Sequence, residues 1–332
     1  MRHATGWIGY RRGAIAAVAG LFALAVHTAS LAQNWPSKPI RVVVPYPPGG
    51  STDLVPRLLQ PRLSLVFGQS LVVENRPGGD AMIGTDIVAK SAPDGYTFLF
   101  TTPATHTQVT HMRKFVPYDP FNDFTPITAA VTQGSMVLVH PGLGVNSFNE
   151  LIDYAKKNPG KLSYGTAGTG SNFHLAGQII KQMTGIDWVH IPYKGGAPTQ
   201  QALIAGEVPV AIFSNTSATA GLKSGKIKGV AVLDSKRLRD WPDVPAITDF
   251  LPAFEKPGEW LGFYGPAKLP EAIVARMRTE IVAALKQSDV EAKLAAVGME
   301  VLGNTPKEFA AIIRRDFDLN GKLLAATGVK PE

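Results

Sequence analysis

Residues 41–53 read RVVVPYPPGGSTD, and the architecture of the chain follows from how this stretch is parsed. The three consecutive valines Val42, Val43 and Val44 lie in a short segment, 41–46, whose β-branched side chains suit a strand buried on both faces. Pro47, Pro48, Gly49 and Gly50 end that strand, and Ser51, Thr52 and Asp53 bring N-cap chemistry just before an apolar run. A strand that passes through a Gly-rich turn into a helix leaves backbone N–H groups unpaired at the positive end of the helix dipole, a place that suits an anion. The same residues also read as an ordinary strand-to-helix connection, so the choice between the two rests on the rest of the chain.

Downstream, the pattern predicts a helix over 52–67, a strand over 70–74, a turn at Asn75-Arg76-Pro77-Gly78-Gly79, a helix over 81–90 and a strand over 96–102. This β-α-β-α-β order argues for parallel strands with helices on the sheet faces. Pro56 and Pro61 conflict with the first helix, and Pro61 predicts a kink. Residues 115–126, rich in Pro, Asp and Phe, read as a connection. A second β/α unit follows, with strands expected at 135–140, 162–166, 188–193, 208–213 and 228–233, and helices between them. Within it, 165–171 (GTAGTGS) is a second Gly-rich, hydroxyl-bearing turn that opens a helix at 172–184. A Pro-rich crossover at 241–258 leads to a returning strand at 259–266, two helices and a short strand at 299–302. Thr305 and Pro306 open a last amphipathic helix, with Phe309, Ile312, Ile313, Phe317, Leu323 and Leu324 on one face; Asn320 and Gly321 interrupt it.

Upstream, Arg2, Arg11 and Arg12 precede an uncharged apolar run at 14–26 that is too short to span a bilayer, and Ser30-Leu31-Ala32 fits a small-x-small cleavage site. Residues 1–32 therefore read as a signal peptide cleaved after Ala32, which places the product in the periplasm as a soluble exported protein. The chain has no cysteine, which leaves neither a lipid attachment site nor a disulfide. The remaining 300 residues suit two domains of ordinary size. The formal charge of +7 falls to +4 without the three leader arginines, and the short cluster Lys236-Arg237-x-Arg239 reads as a solvated loop rather than a nucleic-acid patch.

Several chemistries lack their residues. The chain has no P-loop, and Gly168-Thr-Gly170-Ser lacks the third glycine of a dinucleotide fingerprint. It also has no G-x-S-x-G elbow and no H-E-x-x-H, and no thiol chemistry is available. His106 and His111, five residues apart, read as polar loop positions rather than metal ligands, so neither a metal nor a cofactor is expected. Ser171 and His174 are three apart at a helix start and form either a nucleophile pair or a cap and ligand contact. Two matched turns remain, one in each half of the chain. If their helix N-termini converge, dipoles of about 0.3–1 kcal/mol each and hydrogen bonds to charge of about 1.5–3 kcal/mol each suffice for micromolar binding of a dianion.

The segments PYPPGGSTD, ENRPGG followed by IG, AKSAPDGYT, VPYDPFNDFTP, NPGKLSYGTAGTGSNFHLAG, HIPYKGGAP and the W-x-G-F-Y-G-P-A run at Trp260 resemble, in order and across the chain from residue 33, the Bug family of periplasmic receptors for tripartite tricarboxylate transport. The resemblance implies a periplasmic-binding-protein-like fold: two parallel-sheet-rich α/β domains, 33–133 with 259–332 and 134–258, joined by crossovers around a cleft. It implies a non-enzymatic receptor that takes a small organic carboxylate and acts as a monomer. The receptor hands its ligand to membrane transporter subunits or serves a sensor, with no nucleic acid partner and no membrane insertion. Carried onto this sequence, the first loop is Gly49, Gly50, Ser51, Thr52 and Asp53, and the second is Thr169, Gly170, Ser171 and His174. Tyr46 forms an aromatic wall, and Thr102 and Thr105 follow the third strand. Asp53 caps its helix or meets a ligand amine, and the cap is the favoured reading. Three departures stand out: Asp80-Ala81-Met82 where relatives are richer in glycine, and Pro209 and Ser214 where they commonly carry aspartate.

Overall fold

The computed structural model describes residues 35–327, so the expected signal peptide and its cleavage after Ala32 lie outside the described residues. The valine-rich segment forms β1 (Ile40–Val44), which passes through the Pro-Gly turn into α1 (Ser51–Phe67). Then come β2 (Leu71–Asn75), α2 (Met82–Ala89), β3 (Thr97–Thr101), a π-helical turn at Ala104–Gln108, the short α3 (Val109–Met112) and β4 (Phe124–Gln133). The next stretch alternates β5 (Ser135–Val139), α4 (Phe148–Lys157), β6 (Leu162–Thr166), α5 (Asn172–Thr184), β7 (Trp188–Pro192), α6 (Gly196–Ala205), β8 (Val210–Ser214), α7 (Asn215–Lys223) and β9 (Lys228–Val232). The chain ends with β10 (Trp260–Pro266), α8 (Glu271–Leu285), α9 (Ser288–Ala295), β11 (Met299–Val301) and α10 (Pro306–Thr327).

These strands make two sheets, a six-stranded one in the order β11-β4-β10-β3-β1-β2 and a five-stranded one in the order β7-β6-β8-β5-β9. The chain passes from the first sheet to the second between Gln133 and Ser135 and returns between Val232 and Trp260. Both sheets are mixed. Where strand, helix and strand alternate, pairing is parallel, as for β1 with β2 and β3, or β6 with β7 and β8. The strands next to the crossings, β4, β5 and β10, pair antiparallel. The antiparallel pairs thus gather where the chain crosses between the sheets, beside the parallel pairs that the β-α-β order implies.

β1 is buried on both faces, as its sequence implies. Val42 and Val44 pack with Val55, Leu59, Leu63 and Phe67 of α1, while Val43 faces Val88, Leu99, Tyr264 and Phe309 on the other side. Each such buried side chain is worth about 1.5–3 kcal/mol. In the second sheet Val137, Tyr164 and Ile212 meet Phe148, Leu151 and Ile180 on one face, and Met136, Leu138 and Phe213 meet Leu203 and Ala218 on the other. α10 joins the two units, because Phe309 and Ile313 sit in the first core and Leu323 packs against the second. It runs past Asn320 and Gly321 without a break; Asn320 is buried, donating to Thr107 Oγ1 at 2.9 Å, and a side chain at Gly321 would come within 2.9 Å of His111. No helix among the described residues is long and apolar enough to cross a membrane.

Candidate ligand-binding site

In the first turn the cap differs from the sequence expectation. Gly50, in extended backbone, is the residue before the helix, and no side chain caps it. Ser51, Thr52 and Asp53 are already helical, which leaves the N–H groups of Ser51 and Thr52 without intrahelical acceptors. Asp53 neither caps the helix from in front nor faces outward to an amine. From the third helical position its carboxylate reaches back, accepting from Gly49 N–H at 3.0 Å, Asn75 Nδ2 at 3.0 Å and Arg57 Nε at 2.8 Å. Burial alone would push this carboxyl up, but the bonds from Gly49, Asn75 and Arg57 outweigh it and hold the group below the ordinary aspartate range. Asp53 thus anchors the turn, and Asn75, which also donates to the Tyr46 carbonyl at 3.1 Å, supports it from β2.

Tyr46 lies at the start of the turn, half-buried, with its hydroxyl 2.7 Å from Thr102 Oγ1. Burial pushes the phenol up and keeps it neutral. Thr102 leads into the π-helical turn, a segment the sequence reading treats as loop. Thr105 is fully buried there, its hydroxyl meeting Thr101 Oγ1 at 3.0 Å and His106 Nδ1 at 2.8 Å, so it orders the segment from within. His106 is also fully buried, stacked 4.2 Å from the Tyr264 ring, and His111 Nε2 meets the Phe317 carbonyl at 3.0 Å. No cluster of three metal-ligating side chains exists among the described residues.

The far end of that segment meets the second turn. Gln108 hydrogen-bonds to Asn172, the first residue of α5, and Met112 covers Gly170. Gly170 has φ +72°, and a Cβ there would fall 1.8 Å from Met112 Sδ, so both backbone sign and space call for glycine. Tyr46, Gly49, Gly50, Ser51, Thr52 and Asp53 on one side and Thr169, Gly170, Ser171 and His174 on the other are therefore joined through residues 102–112. Sequence reasoning missed Gln108, Met112, Asn75 and Asn172; only the hydrophilic run beside a Gly-rich turn hinted at the last.

In the second turn Ser171 is a true cap, accepting from His174 N–H at 3.2 Å and donating its own hydrogen to the Gly168 carbonyl at 2.8 Å. The His174 imidazole accepts from Gly170 N–H at 3.0 Å. Ser171 Oγ and the His174 ring thus spend their hydrogen bonds on Gly168 and Gly170 rather than on each other, and the Gly170 amide is taken up by the imidazole. Thr169 is exposed, and the N–H groups of Asn172 and Phe173 at the start of α5 have no intrahelical acceptor.

The three departures also have structural roles. Asp80 (φ +52°) and Ala81 (φ +70°) occupy left-handed backbone that suits glycine, and the Asp80 carboxylate pairs with Arg113 just after Met112. Ser214 caps α7, accepting from Ser217 N–H at 3.4 Å. The Pro209 carbonyl accepts from His140 N–H at 2.9 Å.

Residues 55–329 match the model of the tripartite tricarboxylate transporter family receptor. The chain belongs to this family. BugT of Bordetella pertussis is 30% identical over 95% of this chain and 97% of its own length. Among solved structures, R. palustris Rpa4515 with adipate is 33% identical with a TM-score of 0.83, covering 90% of this chain and 100% of that one. MatC (Rpa3494) from Rhodopseudomonas palustris with bound malate is 28% identical with a TM-score of 0.78, covering 87% and 100%. The fold is accordingly that of a periplasmic binding protein, with two sheet-containing α/β units, and the family resemblance in the sequence motifs holds.

Proposed function

We propose that this chain is an extracytoplasmic solute-binding protein that captures a small organic carboxylate between two domains, 33–133 with 259–332 and 134–258. It delivers the ligand from the periplasm to a tripartite tricarboxylate-type membrane transporter, without chemical conversion. The observation that carries the reading is the pair of Gly-rich helix starts joined through residues 102–112, with the N–H groups of Ser51, Thr52, Asn172 and Phe173 at their tips. Amide donors at two helix N-termini, with the hydroxyls of the first turn, can hold one carboxylate without an arginine. The adipate and malate complexes of the two family members support a dicarboxylate ligand here.

Calorimetric titration with adipate and malate tests the reading. Thr52→Ala and Ser171→Ala should each weaken binding by about 1–3 kcal/mol while the far-UV spectrum stays unchanged. The same affinity in both variants as in the parent would remove the two-turn grip. Ligand recovered unchanged after incubation supports a receptor, whereas turnover abolished by Ser171→Ala would favour a hydrolase.

A further inference from the structure

Behind the second turn two imidazoles lie face to face. His174, in the first turn of α5, and His190, near the end of β7, stack with ring centroids 4.0 Å apart and planes 15° apart. A backbone donor fixes where the proton of His174 sits. Gly170 N–H donates to His174 Nδ1 at 3.0 Å, so that nitrogen is bare and the ring hydrogen is on Nε2; Gln178 Nε2 stands 3.3 Å from it, and the carboxamide accepts this hydrogen when turned so that its oxygen faces the ring. His190 Nε2 lies 2.7 Å from Thr166 Oγ1. The Thr166 hydroxyl has one hydrogen to share between His190 Nε2 and the Gly168 carbonyl at 3.2 Å, so it ties the ring to Gly168 in either tautomer.

These bonds take hold of both ends of the three-residue loop. His190 reaches Gly168 through Thr166, which also accepts from Gly168 N–H at 3.3 Å, and His174 takes the Gly170 amide. Thr169 alone is left projecting outward between them. The other groups around the pair are the Tyr164 ring, 5.2 Å from His190, with its hydroxyl 3.3 Å from Gln178, and Trp188 stacked on Tyr164 at 4.4 Å; none is a carboxylate. Burial drives both histidines down, His174 to about 4 and His190 to about 3, the second also through its neighbour. A proton on His174 Nδ1 would face the Gly170 N–H, donor against donor.

We propose that His174 and His190 are positioning residues, a neutral stacked pair that holds turn 168–171 in the shape that receives a carboxylate without touching the ligand. The proposal rests on the two-turn reading above and removes His174 and the Gly170 amide from the direct contacts.

The test uses the mature protein, with adipate and malate as probes. In ¹⁵N-histidine spectra the His174 hydrogen is on Nε2, with Nδ1 bare, from about pH 8 to about pH 5, and the Gly170 amide exchanges slowly. His174→Leu removes the acceptor, and should raise both the Gly170 exchange rate and the Kd about tenfold or more. His174→Asn places a carboxamide oxygen as many bonds from Cβ as Nδ1, and should restore both to within about threefold. A hydrogen on Nδ1, a fast-exchanging Gly170 amide in the parent, or a His174→Leu variant with unchanged exchange and Kd overturns the proposal. Thr52→Ala and Ser171→Ala separate the two ideas. If they weaken binding and His174→Leu does not, the pair alone is refuted; if they leave binding unchanged, the carboxylate role of the turn falls and takes the proposal with it.

Discussion

Gly84→Ala lowers the stability of the protein by about 3 kcal/mol, read as a drop of about 5–10 °C in Tm. Gly84 lies inside α2, where a Cβ would come 2.6 Å from the Arg76 carbonyl oxygen and 2.9 Å from Pro45 Cα. Neither neighbour is a flexible side chain. Both are backbone at the ends of β1 and β2, so the helix must lift away from the two connections that carry the first turn. Gly50→Ala is the control: its Cβ would meet nothing closer than Thr52 Oγ1 at 3.9 Å, in extended backbone. It should change stability by less than about 0.5 kcal/mol. Equal Tm values for the two variants would mean that the packing of α2 on Pro45 and Arg76 is not what the glycine serves.

Asp53→Ala raises the Kd for adipate or malate by about tenfold to a hundredfold, although the carboxylate is taken up by Gly49, Arg57 and Asn75. Its removal frees the Gly49 amide and the Asn75 side chain, and the turn loses the anchor that aligns Ser51 and Thr52. Stability falls by about 1–2 kcal/mol at neutral pH; the Arg57 contact adds little, because that side chain is half exposed. The sign of the pH dependence follows from the depressed carboxyl. Its stabilisation is present above the ordinary aspartate value and is lost as pH falls through the lowered one. Urea unfolding of parent and variant should therefore differ at about pH 7 and converge toward about pH 2. A constant gap across that range would show that the carboxylate's charge is not involved.

The Gly-rich turns were legible because their message is local: β-branched residues, then Pro and Gly, then hydroxyls. The helix at 172–184 and the strand at 162–166 appear at those limits for the same reason. β4 was not legible. Pro126 and the Ala129-Ala130 pair dilute its strand character, yet it lies between β10 and β11, where small residues and Thr pack against Phe309 and its neighbours. Residues 104–112 carry no apolar period either. Their helical turns are imposed by partners far along the chain, Asn320 on Thr107 and Phe317 on His111. Asp53 shows a subtler limit. An acidic residue at a helix start signals a role at the N-terminus, but whether it caps from in front or reaches back from the third position depends on where Gly50 stops being extended.

The chain has no native cysteine, and Met112 rests on Gly170 between the two sheets. Met112→Cys would thus offer a single thiol for a fluorescent dye at a place where a side chain of α3, in the first unit, covers bare backbone of the second. Emission from that dye would report how far apart the turns stand, and would turn the receptor into an optical gauge of its own ligand.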